Sequence, residues 1–234
     1  MQVLKEKAKH IRDMIKAISN VNWFCFAGKG QNRGKVLCAY GDSITYQARW
    51  YKPVIQMQSL KYIVNKGVPG ATVTGINGLN TDKNLKRLVN CHSNAIMIMG
   101  GVNDFKCSRE IGTIDSTNTD EFYGAYKHML DKIQKMFPDK KVILATPTYC
   151  KCNKDFPKTD GKINDAGFTI KDYAEAVIKL ARLYHMNVIP LFEELKWDEN
   201  NCATYIIDEG EFLHPNKAGG KCMAEIIGRE LPQF

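Results

Sequence analysis

Two distant parts of this chain carry residue types that together could perform nucleophilic chemistry. The first is Gly41-Asp42-Ser43-Ile44-Thr45, at the end of the apolar run Val36-Leu37-Cys38-Ala39-Tyr40. A serine where a buried strand gives way to a loop is well placed to react, because ligands of open α/β folds bind outside the carboxyl ends of the strands. Its hydroxyl is a poor nucleophile at neutral pH and needs a base, itself held by a third group. Of the five histidines, His10 falls in an N-terminal helix, His128 and His185 in helical stretches, and His92 at the amino end of a strand. His214, in Glu211-Phe212-Leu213-His214-Pro215-Asn216, lies in an irregular segment beyond the last strand, and on position it is the base. Asp208, Glu209 and Glu211 are the carboxylates on offer to orient it. Glu211, three residues before the histidine, can fold back within one turn, whereas Asp208 needs a wider loop. The competing reading is that these acids solvate a turn and His214 caps the final helix.

Acyl transfer also needs donors aimed at a developing oxyanion. Asn65-Lys66-Gly67-Val68-Pro69-Gly70-Ala71-Thr72 and Gly100-Gly101-Val102-Asn103-Asp104 each follow a strand and offer glycine N–H groups and the Asn103 amide. Ordinary turn geometry accounts for the glycines as well, and an Asx-turn or helix cap accounts for Asn103 and Asp104. Asp42 and Asp104 are candidate supporting carboxylates. Trp50 and Tyr51 could stack on a sugar ring or a base, although core packing of the first helix is favoured. Lys151 and Lys154, in the irregular segment 148–167, are further candidates for substrate contact. Gly28-Lys29-Gly30-Gln31-Asn32-Arg33-Gly34-Lys35 suggests a phosphate loop but fails: its spacing is too long, Val36 replaces the hydroxyl residue, and it precedes a strand.

The elements that must position these residues alternate. Apolar runs predict strands over Lys35–Tyr40, Lys61–Lys66, Ala95–Met99, Lys141–Thr146 and Met186–Pro190. Helices are predicted over Asp82–Asn90, Thr119–Phe137, Lys171–His185 and Lys217–Glu230. Ala95-Ile96-Met97-Ile98-Met99 is apolar at successive positions, as a strand covered on both faces must be. The pattern predicts an α/β fold, a doubly wound three-layer sandwich around a parallel sheet.

Ser43 in Gly-Asp-Ser, a glycine in Asn-x-Gly-x-x-Gly, Asn103 in Gly-x-Asn-Asp and His214 before Pro-Asn, in that order, resemble the four blocks of the SGNH hydrolase (GDSL esterase) superfamily. The resemblance covers Gly41 to Gly219. It implies a flavodoxin-like sheet, Ser-His chemistry with no metal or cofactor, and an oxyanion hole from the Ser43 N–H, the Gly70 N–H and the Asn103 side chain, with Gly67 as the alternative glycine. The family's last block is Asp-x-x-His; this chain has Glu211 at the aspartate position, with Asp208 in reserve. The implied activity is that of a serine esterase. An O-acetyl esterase acting on a carbohydrate is the favoured form, and a short-chain lipase, lysophospholipase or thioesterase the alternative. Acyl transfer would use the same residues. A reading from another class is a non-catalytic glycan-binding or assembly module on the same fold.

Composition bounds the rest. A chain of 234 residues that is 44% hydrophobic supports one domain, residues 21–234, behind an amphipathic helix over residues 1–20. In that helix Leu4, Ala8, Ile11, Ile15 and Ile18 form a stripe that could pack on the domain, make a homo-oligomer or connect to a larger parent protein. The net charge of +8 comes from lysines spread over helix faces, which argues against nucleic acid and leaves an acidic glycan open. No stretch approaches the ~20 apolar residues of a membrane span. The start lacks the apolar core of a signal peptide, so a cytoplasmic location is expected, with secretion or virion association only for a mature or trimmed form. The eight cysteines are scattered, and Cys150-Lys151-Cys152 is too tight for a metal hook, so no metal is expected.

Overall fold

The computed structural model describes residues 30–151, 163–207 and 213–234. The helix expected over residues 1–20 lies outside them. Among the described residues five strands form one parallel sheet: β1 (Val36–Gly41), β2 (Tyr62–Gly67), β3 (Ala95–Met99), β4 (Lys141–Ala145) and β5 (Asn187–Ile189), in the order β2-β1-β3-β4-β5. This is the flavodoxin-like order, in which the chain reverses its direction of travel across the sheet between β1 and β3. Every residue of β1 and β3 is buried, which is why their apolar residues run without alternation. The edge strand β2 is half exposed and carries Lys66, a charge that discourages pairing with another chain.

The helices are α1 (Ser43–Gln47), α2 (Tyr51–Gln58), α3 (Asp82–Leu85), α4 (Val102–Lys106), α5 (Phe122–Met136), α6 (Ile170–Leu183), α7 (Leu191–Leu195), α8 (Cys202–Tyr205) and α9 (Lys217–Glu230). Parallel crossovers are right-handed, so the reversal between β1 and β3 sends the connection to β2 and those to β4 and β5 to opposite faces. Accordingly α2 packs on α9, and α5 packs on α6. Helix α5 buries Phe122, Tyr126, Met129, Leu130 and Ile133, one stripe at helical spacing. Thr169 and Asp172 close a capping box that starts α6.

Two expected helices end earlier than their apolar pattern. The segment over Asp82–Asn90 is α3 followed by a 3₁₀ turn, Lys86–Leu88, a tighter winding that suits a short connector. Helix α6 stops at Leu183; His185 then takes a left-handed φ of 51°, and the Met186 N–H donates to the Ala181 carbonyl at 2.8 Å. This is the i+5 bond of a Schellman stop, a conformation that hydrophobic periodicity does not encode.

Register aligns the strand ends that matter. Gly41 stands opposite Gly67 on one side and Met99 on the other. Position 41 must be glycine, because a side-chain carbon there would collide with the Met99 carbonyl oxygen and with Thr45 Oγ1. Gly41→Ala is expected to cost roughly 1–3 kcal/mol through overpacking. Urea unfolding checks it: a lower midpoint is expected, and an unchanged one would contradict the tight β1–β3 approach.

Candidate active site

The nucleophile candidate follows directly from the end of β1. Asp42 is the N-cap of α1, its Oδ1 accepting the Ile44 N–H at 2.9 Å. Ser43 is therefore the first residue of the helix, and its N–H has no carbonyl four residues back to bond within the helix. Its side chain is nearly enclosed at 9% exposure, and its Oγ lies 2.9 Å from His214 Nε2. The two residues are 171 positions apart in sequence. The structure thus brings together the serine and the base that position alone had selected.

His214 is placed by backbone bonds between two short antiparallel segments. Ile206 bridges Pro215, the Ile207 N–H donates to the His214 carbonyl at 2.8 Å, and the Asn216 N–H donates to the Tyr205 carbonyl at 2.7 Å. Asn216, not His214, caps the last helix: its Oδ1 accepts the Gly219 N–H at 3.0 Å, and its Nδ2 donates to the Thr204 carbonyl at 2.9 Å. Asp208, Glu209 and Glu211 fall between the two segments and lie outside the described residues.

The loop after β2 distinguishes the two glycine candidates. Val68-Pro69-Gly70-Ala71 is a type II turn, closed by the Ala71 N–H donating to the Val68 carbonyl at 3.1 Å, with Gly70 at φ 73°. Gly67 instead spends its N–H on Asn65 Oδ1, at 3.0 Å, while Asn65 Nδ2 donates to the Tyr46 carbonyl. A side chain at Gly67 would collide with the Tyr46 backbone in α1, so this glycine serves close packing. Of the pair, the Gly70 N–H is the one not consumed by Asn65.

Asn103 and Asp104 tie this loop to the start of α4. Asn103 Nδ2 donates to the Ala71 carbonyl at 2.8 Å, and an amide carries a second N–H beyond that bond. Asp104 accepts the Val73 N–H at 2.7 Å and the Thr74 N–H at 3.0 Å on its two oxygens. Neither an Asx-turn nor a helix cap describes Asp104; it is a long-range clamp. Burial pushes the Asp104 carboxyl above its ordinary range, against the pull of those two N–H groups. Burial likewise pushes Asp42 up to about 7, opposed by the Ile44 N–H and reinforced by the nearby Asp104 charge.

The other candidates part company. Trp50 is completely buried and Tyr51 nearly so, their rings in edge contact at 4.4 Å, so both belong to the core and neither presents a face to a ligand. This corrects their place among the substrate contacts and bears out the core-packing alternative. Lys151 is exposed beyond β4, and Lys154 lies outside the described residues. Residue types alone did not single out Asn65 or Tyr126. Asn65 had a signal, a side-chain amide two residues before a glycine. Tyr126 had a fainter one, a hydroxyl on the buried stripe of α5. Among the described residues no group of His, Cys, Asp and Glu is arranged to hold a metal ion, and no helix is long and apolar enough to cross a membrane.

Comparison with known proteins follows the same lines. A model of the GDSL-like lipase/acylhydrolase family matches residues 39–222. Comparison with curated proteins finds no match. Among solved structures, a Lactobacillus plantarum protein is 21% identical with a TM-score of 0.69, over 85% of this chain and 95% of that one. A lipase/acylhydrolase from Enterococcus faecalis is 20% identical with a TM-score of 0.55, over 84% and 95%. An acetyl-xylooligosaccharide esterase from Geobacillus is 22% identical with a TM-score of 0.56, over 86% and 95%. At these identities the structures share the fold, while the sequence match runs from β1, through Ser43, Gly70 and Asn103, past His214 into α9. The chain belongs to the GDSL-like lipase/acylhydrolase family.

Proposed function

We propose that this protein is a serine esterase in which Ser43 attacks an ester carbonyl and His214 takes its proton and returns it to the leaving alcohol. The observation that carries this is the 2.9 Å contact between Ser43 Oγ and His214 Nε2, with the Gly70 turn tied through Ala71 to the amide of Asn103. Attack forms a tetrahedral intermediate whose oxyanion takes hydrogen bonds from the Ser43 N–H, the Gly70 N–H and the free N–H of Asn103. Collapse expels the alcohol and leaves an acyl group on Ser43. Water, activated by His214, then releases the acid. Glu211 orients His214 in this reading, with Asp208 as the reserve.

The finer reading is an O-acetyl group on a carbohydrate. It rests on the polar segment that follows β4 and on a net charge of +8, which suits an acidic glycan. An assay panel of acetylated xylan, pectin, acetylated sialic acid and an acyl chain-length series tests it. Preference for long acyl chains would move the protein to the lipase or thioesterase alternative.

Three outcomes test the chemistry. A fluorophosphonate should label the protein, and Ser43→Ala should abolish labelling and lower p-nitrophenyl acetate turnover by about 10⁴-fold or more. No labelling, or labelling that survives the substitution, would leave the non-catalytic module as the better account. Asn103→Ala should lower kcat by about 10²–10³ with little change in KM, the pattern of a group that acts on the transition state. Glu211→Ala should lower kcat far more than Asp208→Ala; the reverse order would reassign the orienting carboxylate.

A further inference from the structure

Two buried carboxyl groups flank the candidate residues in the chain, Asp42 beside Ser43 and Asp104 beside Asn103. Asp42 is 1% exposed and Asp104 fully buried, and among the described residues neither forms an ion pair. Each feels the field of its neighbours: Asp104 acts on Asp42, and both act on the Tyr126 phenol from α5. That phenol is itself fully buried, and among the described residues its hydroxyl has no hydrogen-bond partner. The titratable groups coupled to Asp42 are thus a second acid from α4 and a neutral hydroxyl from α5, and Ser43 follows it directly in the chain. Two anions desolvated side by side repel strongly, and one of them keeps a proton instead.

The hydrogen bonds decide which. Asp104 has a backbone N–H on each oxygen, from Val73 and Thr74, and that arrangement holds a carboxylate. Asp42 has a single close bond, its cap from Ile44 on Oδ1, and the N–H groups of Thr45 and of Asp42 itself add less. It lacks the paired close bonds that hold Asp104, and its second oxygen can carry a proton. We propose that Asp42 is a neutral carboxylic acid in the working enzyme, so that the buried pair bears the single negative charge clamped at Asp104. Asp42 is then a positioning residue. It caps α1 and aims the Ser43 N–H without setting a charge beside the oxyanion that this N–H must stabilise. Loss of the Asp42 proton places a second anion next to Ser43 in the chain and opposes the transition state. Burial pushes this group up to about 7, so the change falls in the range where the enzyme would be assayed.

The catalytic consequence rests on the esterase reading; the protonation itself does not, and the two can be tested apart. The folded protein holds a proton that the unfolded chain releases at the ordinary aspartate value of 3.8. Proton binding is therefore greater in the folded state between about 4 and 7, and this group's contribution to stability falls as pH rises through that window. Asp42→Asn mimics the neutral acid and keeps a capping oxygen. Its Tm relative to the wild type should rise from pH 5 to pH 7 and level off above it; a difference that stays flat or falls across that window would overturn the proposal whatever the enzyme does. For catalysis, kcat/KM on p-nitrophenyl acetate should fall by about tenfold on the alkaline side in the wild type, and Asp42→Asn should lose that limb. With Ser43 confirmed by fluorophosphonate labelling, an alkaline limb that persists unchanged in folded Asp42→Asn would equally overturn it. Absence of labelling together with the rising Tm difference would end the esterase reading and leave the neutral Asp42 standing.

Discussion

Everything at this site depends on one constraint: parallel strands all end at the same edge of the sheet. Where the order reverses between β1 and β3, the two outgoing connections leave in opposite directions and open a crevice. Gly41 in register with Gly67 and Met99 brings the three strand ends that begin the Ser43, Gly70 and Asn103 segments to one level. That alignment is possible only because the backbones come closer than side chains would permit, at Gly41 against β3 and at Gly67 against α1. The glycine two residues before Ser43 is thus a packing requirement of the sheet before it is a feature of any chemistry.

The second level of order is the stitching of loops to one another. Asn103 and Asp104 are adjacent in sequence yet hold three backbone groups of the β2 loop, the Ala71 carbonyl and the Val73 and Thr74 N–H groups. A loop bound at three points loses its alternative conformations, so the Gly70 turn stands in a fixed relation to the Asn103 amide. Preorganisation of this kind is what lets donors stabilise an oxyanion without reorganising at the moment of reaction. Its cost is a fully buried carboxyl group, whose desolvation the same backbone N–H groups oppose. Structure and electrostatics are here one set of bonds.

Much of this was legible in the chain. Five strands were visible as apolar runs because the central ones are covered on both faces, and four of the strand-end motifs carried residue types that acyl transfer requires. The fold class followed from those local signals, and so did the choice of Ser43, Asn103 and His214 as candidates. What stayed hidden depends on partners far away in sequence. Nothing near Asp104 reveals that its oxygens meet Val73 and Thr74, and nothing near Trp50 reveals that the core claims its whole ring. The choice between Gly67 and Gly70 needed one hydrogen bond, from the Gly67 N–H to Asn65, that spacing does not determine. Helix ends were misjudged for a related reason: the left-handed stop at His185 is a backbone event with no hydrophobic signature.

The parts of the site differ in how firmly the fold holds them. Ser43, Gly70 and Asn103 are borne on the ends of the β1, β2 and β3 strands, whose ladders unfold only with the sheet. His214 stands beyond the last strand, held by a short bridge and a few backbone bonds around the Asn216 cap. Opening of such a segment requires far less than global unfolding. In the proposed mechanism the oxyanion donors and the nucleophile therefore form the permanent frame, and the base is the element whose position can be adjusted at least cost.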